Sequence, residues 1–240
     1  MNGESSHKRR LFPIDFPGEE TYNIPIGNCK SKGGVGSVCC RFYMESSPEL
    51  RPFVEAANRS PLLFRMLEKT AKPMKTEGEI RPADLVPVLA TSRAGKPAVF
   101  PMLWGFQGKQ SLLINARAET AAEKPAFRDS WQSHRCAVPA SWYYEWEHLS
   151  SPDGKTRTGR KYLIQPEGSA LSWLAGLYRL EDGLPRFTVL TQEPGPEVRA
   201  IHDRMPVLFP REVISAWIRP DQDPAPLLAR SLRTMVLEPA

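Results

Sequence analysis

From Leu85 onward the chain is a succession of short apolar runs cut by turn residues, a pattern that favours short strands with interspersed helices. Leu85–Ala90 and Ala98–Trp104 read as strands, with turn chemistry in Gly95-Lys96-Pro97 between them. Arg135–Pro139, Trp142–Trp146, Lys161–Gln165, Leu171–Tyr178 and Arg186–Thr191 continue the sheet. Upstream, Cys39–Met44 suits a short first strand, and Pro48–Asn58 suits a helix with Ser47 as N-cap and Pro48 at its first position. Further short helices are expected over Ala118–Ser130, Pro196–Ile201 and Arg211–Ile218, and an exposed hairpin loop over Ser151–Arg160, which holds Pro152 and Asp153-Gly154. There is no internal repeat, and strands and helices do not alternate regularly enough for a doubly wound sheet. The expected fold class is α+β: a single domain with a curled, barrel-like sheet, mixed or antiparallel, flanked by short helices.

The first 37 residues follow different rules. Pro13, Pro17 and Pro25, scattered charges and the lack of any sustained apolar period give them little to fold with. Lys32-Gly33-Gly34 can be encoded by a purine run resembling a bacterial ribosome-binding sequence, and the valine codon GTG at Val38 is an alternative bacterial start. Two segments are therefore expected: residues 1–37 as a leader outside the native domain (a misplaced start, a propeptide, or a genuine disordered leader), and residues 38–240 as the domain itself. A start at Val38 makes Cys39 the first residue once the initiating methionine is removed. Such a cysteine carries two nucleophiles on adjacent carbons, because its α-amino group is free. The amine condenses with an aldehyde, and the thiol then closes a five-membered thiazolidine ring. An internal cysteine cannot do this.

Composition narrows the setting. In 240 residues no run approaches the length of a membrane span, and the N-terminus lacks a signal-peptide apolar region, so a cytoplasmic location is expected. The four cysteines stand at 29, 39, 40 and 136, without a CxxC pair, which argues against a zinc site. A net charge of +5 permits contact with nucleic acid without requiring it.

Three segments place polar residues where a sheet protein prefers apolar ones. Leu112-Leu113-Ile114 runs into Asn115-Ala116-Arg117-Ala118-Glu119-Thr120, where the asparagine either orients a substrate through its amide or caps a strand-to-helix junction. In Trp142-Tyr143-Tyr144-Glu145-Trp146 the carboxylate is either poorly solvated among aromatics, which suits proton transfer near neutrality, or turned to water by strand alternation. In Ile201-His202-Asp203-Arg204-Met205-Pro206 the histidine is either a proton shuttle or a structural partner of its neighbour.

Taken together, and in this order, Cys-x-Arg-Phe at Cys39, Trp-Gly at Trp104, Asn-Ala-Arg-x-Glu-Thr at Asn115, Tyr-Glu-Trp at Tyr144 and His-x-Arg-Met-Pro at His202 resemble the SRAP family, the SOS-response-associated, abasic-site-processing proteins. The likeness runs from Cys39 to about Trp217. It implies that Cys39, freed at its amino group, traps the ring-opened aldehyde of an abasic site in single-stranded DNA. Glu145 then matches the glutamate that handles protons during sugar opening and imine formation, His202 the histidine of sugar opening and crosslink reversal, and Asn115 the residue that holds the adduct. AP-lyase-like chemistry would accompany the crosslinking; the alternatives are a cysteine peptidase using Cys39, Glu145 and His202 to release its own N-terminus, and a non-covalent single-strand binder. No metal and no organic cofactor is required, and a monomer engaging one strand is the simplest expectation.

A missing base leaves no edge to read, so affinity must come from phosphates and from stacking of neighbouring bases. Arg41, Arg117 and Arg204, each beside a proposed catalytic residue, are the expected phosphate contacts, and Trp104 is the expected stacking platform. Core packing is expected for Trp142, Trp146 and Trp173, and a solvated loop for Lys155, Arg157, Arg160 and Lys161. Two positions depart from the family pattern: Cys40 and Trp142 stand where glycine is common.

Overall fold

Five of the apolar runs close on one another. The computed structural model describes residues 40–150, 156–169 and 171–240. In chain order its elements are β1 (Phe42–Met44), α1 (Arg51–Asn58), α2 (Pro61–Thr70), β2 (Gly78–Ile80), β3 (Leu85–Thr91), β4 (Pro97–Trp104), β5 (Asn115–Arg117), α3 (Arg128–Ser133), β6 (Arg135–Ala140) and β7 (Trp142–Ser150). There follow β8 (Thr156–Pro166), β9 (Ser172–Glu181), β10 (Leu184–Gln192), α4 (Pro196–Arg199), β11 (Met205–Pro206), β12 (Leu208–Phe209), α5 (Arg211–Trp217), α6 (Pro224–Leu228) and β13 (Met235–Pro239).

Strands β10, β4, β3, β6 and β9 pair in that order, and β9 pairs back onto β10, so the ring is a closed five-stranded barrel. Only β4 with β10 is parallel within that ring. Strand β5 adds to β10 in parallel, and β11 and β12 add to β10 and β9. A second sheet, in the order β13-β8-β7-β1-β2, is antiparallel throughout. Its inner face supplies Phe42, Tyr143 and Ile164 to the same apolar cluster as the barrel's Val86, Val88, Trp104, Val138, Leu174 and Phe187. Each such side chain contributes about 1.5–3 kcal/mol by leaving water, which is why the mixed-sheet expectation holds although several strands are very short. A neighbouring cluster packs Trp131, Trp173, Phe209, Val213 and Trp217 under α3 and α5, and Trp173 is the core residue it was expected to be.

One charge is built into that second cluster. Arg135 is 1 % exposed, and its guanidinium donates to the carbonyls of Trp217 (2.7 Å), Trp131 (2.7 Å), Gln132 (3.0 Å), Gln222 (2.8 Å) and Arg219. Burial pushes its pKa down, against the pull of Asp223 and Asp221. The arginine thus supplies the donors that the C-terminal ends of α3 and α5 lack, a need every helix end carries.

The structure corrects several local expectations. The first helix begins at Arg51, not Pro48: Ser47 accepts from Leu50 N through its hydroxyl at 3.2 Å and from Arg51 N through its carbonyl at 3.1 Å, so it closes the preceding turn. The helix expected over Ala118–Ser130 is a run of turns with only α3 behind it, because Pro125 disfavours helical geometry at Lys124 and cannot donate its own bond. Helix α2, with Pro61 at its first position, and the closing strand β13 were not anticipated. Residues 1–39 and 151–155, which include the leader, Val38, Cys39 and Lys155, lie outside the described residues.

Candidate functional site

Strand β7 alternates, and the alternation decides which of its residues can do chemistry. Tyr143 opposes Ile164, and Glu145 opposes Tyr162, on the inner face, while Tyr144 and Trp146 share the outer face with Lys161 of β8. Glu145 is 2 % exposed, so of the two readings open in the sequence, the one with the carboxylate among aromatics and out of water is the one the fold adopts. A register shift between Trp146 and His148 then breaks the alternation. His148 comes to lie with its ring 4.1 Å from that of His202, and its backbone N–H donates to Ile201 O at 3.0 Å.

His202 follows α4, where its N–H still reaches Val198 O at 2.9 Å. The side chain is buried, and Nε2 lies 3.9 Å from Glu145 Oε2. Nδ1 accepts from Arg204 N at 3.1 Å and is 3.0 Å from Asp203 Oδ1. Burial first, and then the neighbouring His148, push the His202 pKa down to about 4, although Asp203 pulls the other way. Glu145 and His202, spaced far apart in sequence, are therefore neighbouring ionisable groups, both shielded from water. His148, His202 and Asp203 also offer three ligand atoms that all lie within 4.8 Å of one another.

Two of the motif segments hold each other. Arg204 forks onto Glu119, Nη1 to Oε1 at 2.9 Å and Nη2 to Oε2 at 2.7 Å, and Nη2 also donates to Thr191 O at 2.8 Å. Burial pushes the Glu119 carboxyl up, but the Arg204 hydrogen bond and charge outweigh it and leave the pKa below the usual carboxylate range. Ala118 N–H donates to the same Thr191 carbonyl at 2.8 Å. The segment that carries Asn115 and the segment that carries His202 are thus bolted to one point on β10. Arg204, only 9 % exposed, is occupied by this task and does not present an open fork to phosphate, as its expected role required. Glu119 received no role in the sequence reading, although an acid and an arginine recurring in paired motifs is the signal that could have found it.

Trp104 is placed differently from its expectation as well. It has no exposed surface, and its indole N–H donates to Ile114 O at 3.0 Å, one residue before Asn115. A stacking platform must be open to a base, so this is a correction: Trp104 is a core residue that anchors the approach to Asn115. Gly105 after it sits at φ +109°, and a Cβ there would come within 3.0 Å of Leu112 Cβ, so the Trp-Gly pair needs its glycine. Asn115 itself lies half-buried on β5, opposite Val189, and Arg117 is exposed at the far end of that strand.

Arg41 stands on the outer face beside β7. Its carbonyl accepts from Tyr144 N at 3.0 Å, its Nη1 donates to Glu79 Oε1 at 2.9 Å, and its guanidinium lies 5.3 Å from the Trp146 ring centre. Lys161 covers the Tyr144 ring at 3.7 Å, and Tyr43 stacks on Trp142 at 4.3 Å. Trp142 and Trp146, expected in the core, are half-buried residues of this outer cation–aromatic face instead. Arg157 and Arg160 are exposed on β8. Cys40 is half-buried against the main apolar cluster, in keeping with packing as a small apolar side chain.

Comparison with known proteins supplies the family and the fold. Residues 38–238 match the family described as SOS response associated peptidase (SRAP). The abasic site processing protein YoaM of Bacillus subtilis is 42 % identical over 113 residues, 45 % of this chain and 48 % of the relative. The abasic site processing protein YedK of Escherichia coli is 27 % identical over 126 residues, 50 % of this chain and 54 % of the relative. The chain spans about half the length of the curated relatives it matches. Among solved structures, a protein from Bacteroides thetaiotaomicron superposes with a TM-score of 0.62 at 19 % identity over 84 % of this chain and 91 % of the other. A phage-related protein from Bordetella bronchiseptica gives 0.61 at 24 % identity, covering 84 % and 94 %. At these identities the two structures speak for the fold alone.

Proposed function

The chain belongs to the SOS response associated peptidase (SRAP) family, and we propose that it captures abasic sites in single-stranded DNA as a covalent adduct of Cys39. The observation that carries this reading is the buried pair of Glu145 and His202 at 3.9 Å, with Glu145 on β7, whose partner β1 begins at Phe42, three residues after Cys39. Relatives named abasic site processing proteins supply the substrate class.

In the proposed reaction a start at Val38 and loss of methionine free the Cys39 amine, whose pKa of about 8 leaves a nucleophilic fraction at neutrality. His202 and Glu145 move the proton that opens the deoxyribose ring to its aldehyde. The amine adds to C1′ and water leaves, giving an imine. The thiol adds to the imine carbon, and its proton passes to the nitrogen, closing the thiazolidine. Asn115 holds the opened sugar through its amide. Shielding from water matters here, because an imine in bulk solvent hydrolyses, and because positioned groups replace an unfavourable encounter by an effectively intramolecular step. Arg117 and Arg41 contact the strand's phosphates, while Arg204 acts on the protein itself.

The test is a chain beginning Met-Cys39, mixed with single-stranded DNA carrying one abasic site and run on a denaturing gel beside the 240-residue chain. A shifted band from the short chain, lost in Cys39→Ala, supports the adduct. A shift from both chains, with intact mass showing loss of the leader, supports self-processing as the route to the free amine. Retained but non-covalent binding by Cys39→Ala and wild type alike sinks the covalent reading in favour of a binding module.

A further inference from the structure

We propose that His148, His202 and Asp203 form a binding site for a divalent transition-metal ion, of which Zn²⁺ is the natural test, and that the ion withdraws His202 from proton transfer. The second half rests on the proton-transfer role given to His202 above, whereas the metal site stands on its own geometry.

Two imidazoles and one carboxylate are a donor set for Zn²⁺, Ni²⁺ or Cu²⁺ rather than for Mg²⁺ or Ca²⁺, which prefer oxygen. Tetrahedral bonds of about 2.0–2.1 Å place neighbouring ligand atoms roughly 3.3 Å apart. His202 Nδ1 and Asp203 Oδ1 already stand 3.0 Å apart, and one nitrogen of His148 completes a group within 4.8 Å. His148 is half-buried, and its ring is held by contact with His202 rather than by a side-chain hydrogen bond among the described residues, so a small rotation closes the remaining distance. Asp203 is 57 % exposed and gives an ion from solution its way in, while the side chain of His202 is 1 % exposed and shields the inner face.

The polar contacts at Nδ1 are in conflict without a cation. A ring nitrogen carries either a lone pair or a proton in the ring plane. With a lone pair it accepts from Arg204 N–H at 3.1 Å, and then faces the acceptor oxygen of Asp203 at 3.0 Å. With a proton it serves Asp203, and then faces the Arg204 N–H. A metal ion takes the lone pair, the carboxylate oxygen and His148 together, at the expense of the single bond from Arg204 N–H. Metal on Nδ1 leaves the ring proton fixed at Nε2, on the side of Glu145 Oε2. His202 then has no lone pair with which to accept a proton.

The experiment titrates the 240-residue chain with Co²⁺, followed by visible absorption, and then displaces Co²⁺ with Zn²⁺. The expected result is saturation at one ion per chain, with affinity falling at least tenfold in both Asp203→Asn and His148→Ala. Asp203 is exposed, so Asp203→Asn tests the site without threatening the fold, and a thermal melt checks His148→Ala. No saturable binding, unchanged affinity in both variants, or a thiolate-to-cobalt charge-transfer band placing the ion on cysteine overturns the site. In a second arm, Zn²⁺ added to the Met-Cys39 chain slows adduct formation over the concentration range in which it binds. Binding without slowing overturns the switch, and a chain that forms no adduct at all indicts the function above while leaving the first arm readable.

Discussion

Nε2 of His202 lies 3.9 Å from Oε2 of Glu145, with both side chains almost wholly removed from solvent. At this separation they are not hydrogen-bonded to each other, so a proton passes between them through a bridging substrate or water oxygen held between the two. Glu145→Gln keeps the shape and removes the proton acceptor. Adduct formation is expected to slow by about 10²–10⁴-fold, the usual worth of a positioned acid–base group. A time course on abasic single-stranded DNA reads the rate, and circular dichroism checks that the fold is kept.

Trp104 and Arg117 separate positioning from binding. Trp104→Phe removes the indole N–H that meets Ile114 O, a carbonyl that keeps the Val189 N–H at 3.0 Å, so the loss is that of one hydrogen bond, about 0.5–1.5 kcal/mol. Its thermal midpoint falls and its adduct formation slows through Asn115, while its single-strand affinity keeps the same salt dependence. Arg117→Ala does the opposite: the midpoint holds, affinity drops, and the slope of log K against log salt flattens by about 0.7 for one lost phosphate contact.

The Glu119–Arg204 fork gives a pH signature. The folded pKa of Glu119 is below its unfolded value, so the unfolded state binds the proton first. The stabilisation is full above the ordinary carboxylate pKa and is lost as pH falls through the lower folded value. Thermal melts in steps down the acid range should show wild type converging on Glu119→Gln at the acid end. A constant gap between the two would show that the fork contributes nothing through ionisation.

Arg135 meets five carbonyls with one guanidinium, and no other side chain has the donors to replace it. Arg135→Lys keeps the charge but loses the fork geometry, and the expected cost is about 3 kcal/mol or more. Urea unfolding measures it as a lower midpoint at unchanged slope.

The strands were legible because each short run carries its own evidence: β-branched and aromatic residues between turn formers, as in β3, β4 and β10. The proline-punctuated helices were less so. In α1 the first turn belongs to Ser47, and over 118–130 a composition that looks helical is overruled by Pro125. Helix α2 was missed although Pro61 marks its start, because its exposed Phe64 and Leu67 blur the apolar face that a helix normally declares.

The sequence by itself determined the barrel's raw material and the order of the motifs, since strand period and turn chemistry act within a few residues. For Glu145, His202 and Asn115 it left a chemical and a structural reading open at each position, and only the order of all the motifs together joined them. Only the tertiary structure decided which motif residues face the site and which hold it together. Arg204 and Glu119 stand 85 residues apart, Trp104 and Ile114 are 10 apart, and the register shift after Trp146 turns His148 toward His202. Long-range pairing and a one-residue slip in register leave no mark on local composition, because both are settled by how strands meet across the barrel.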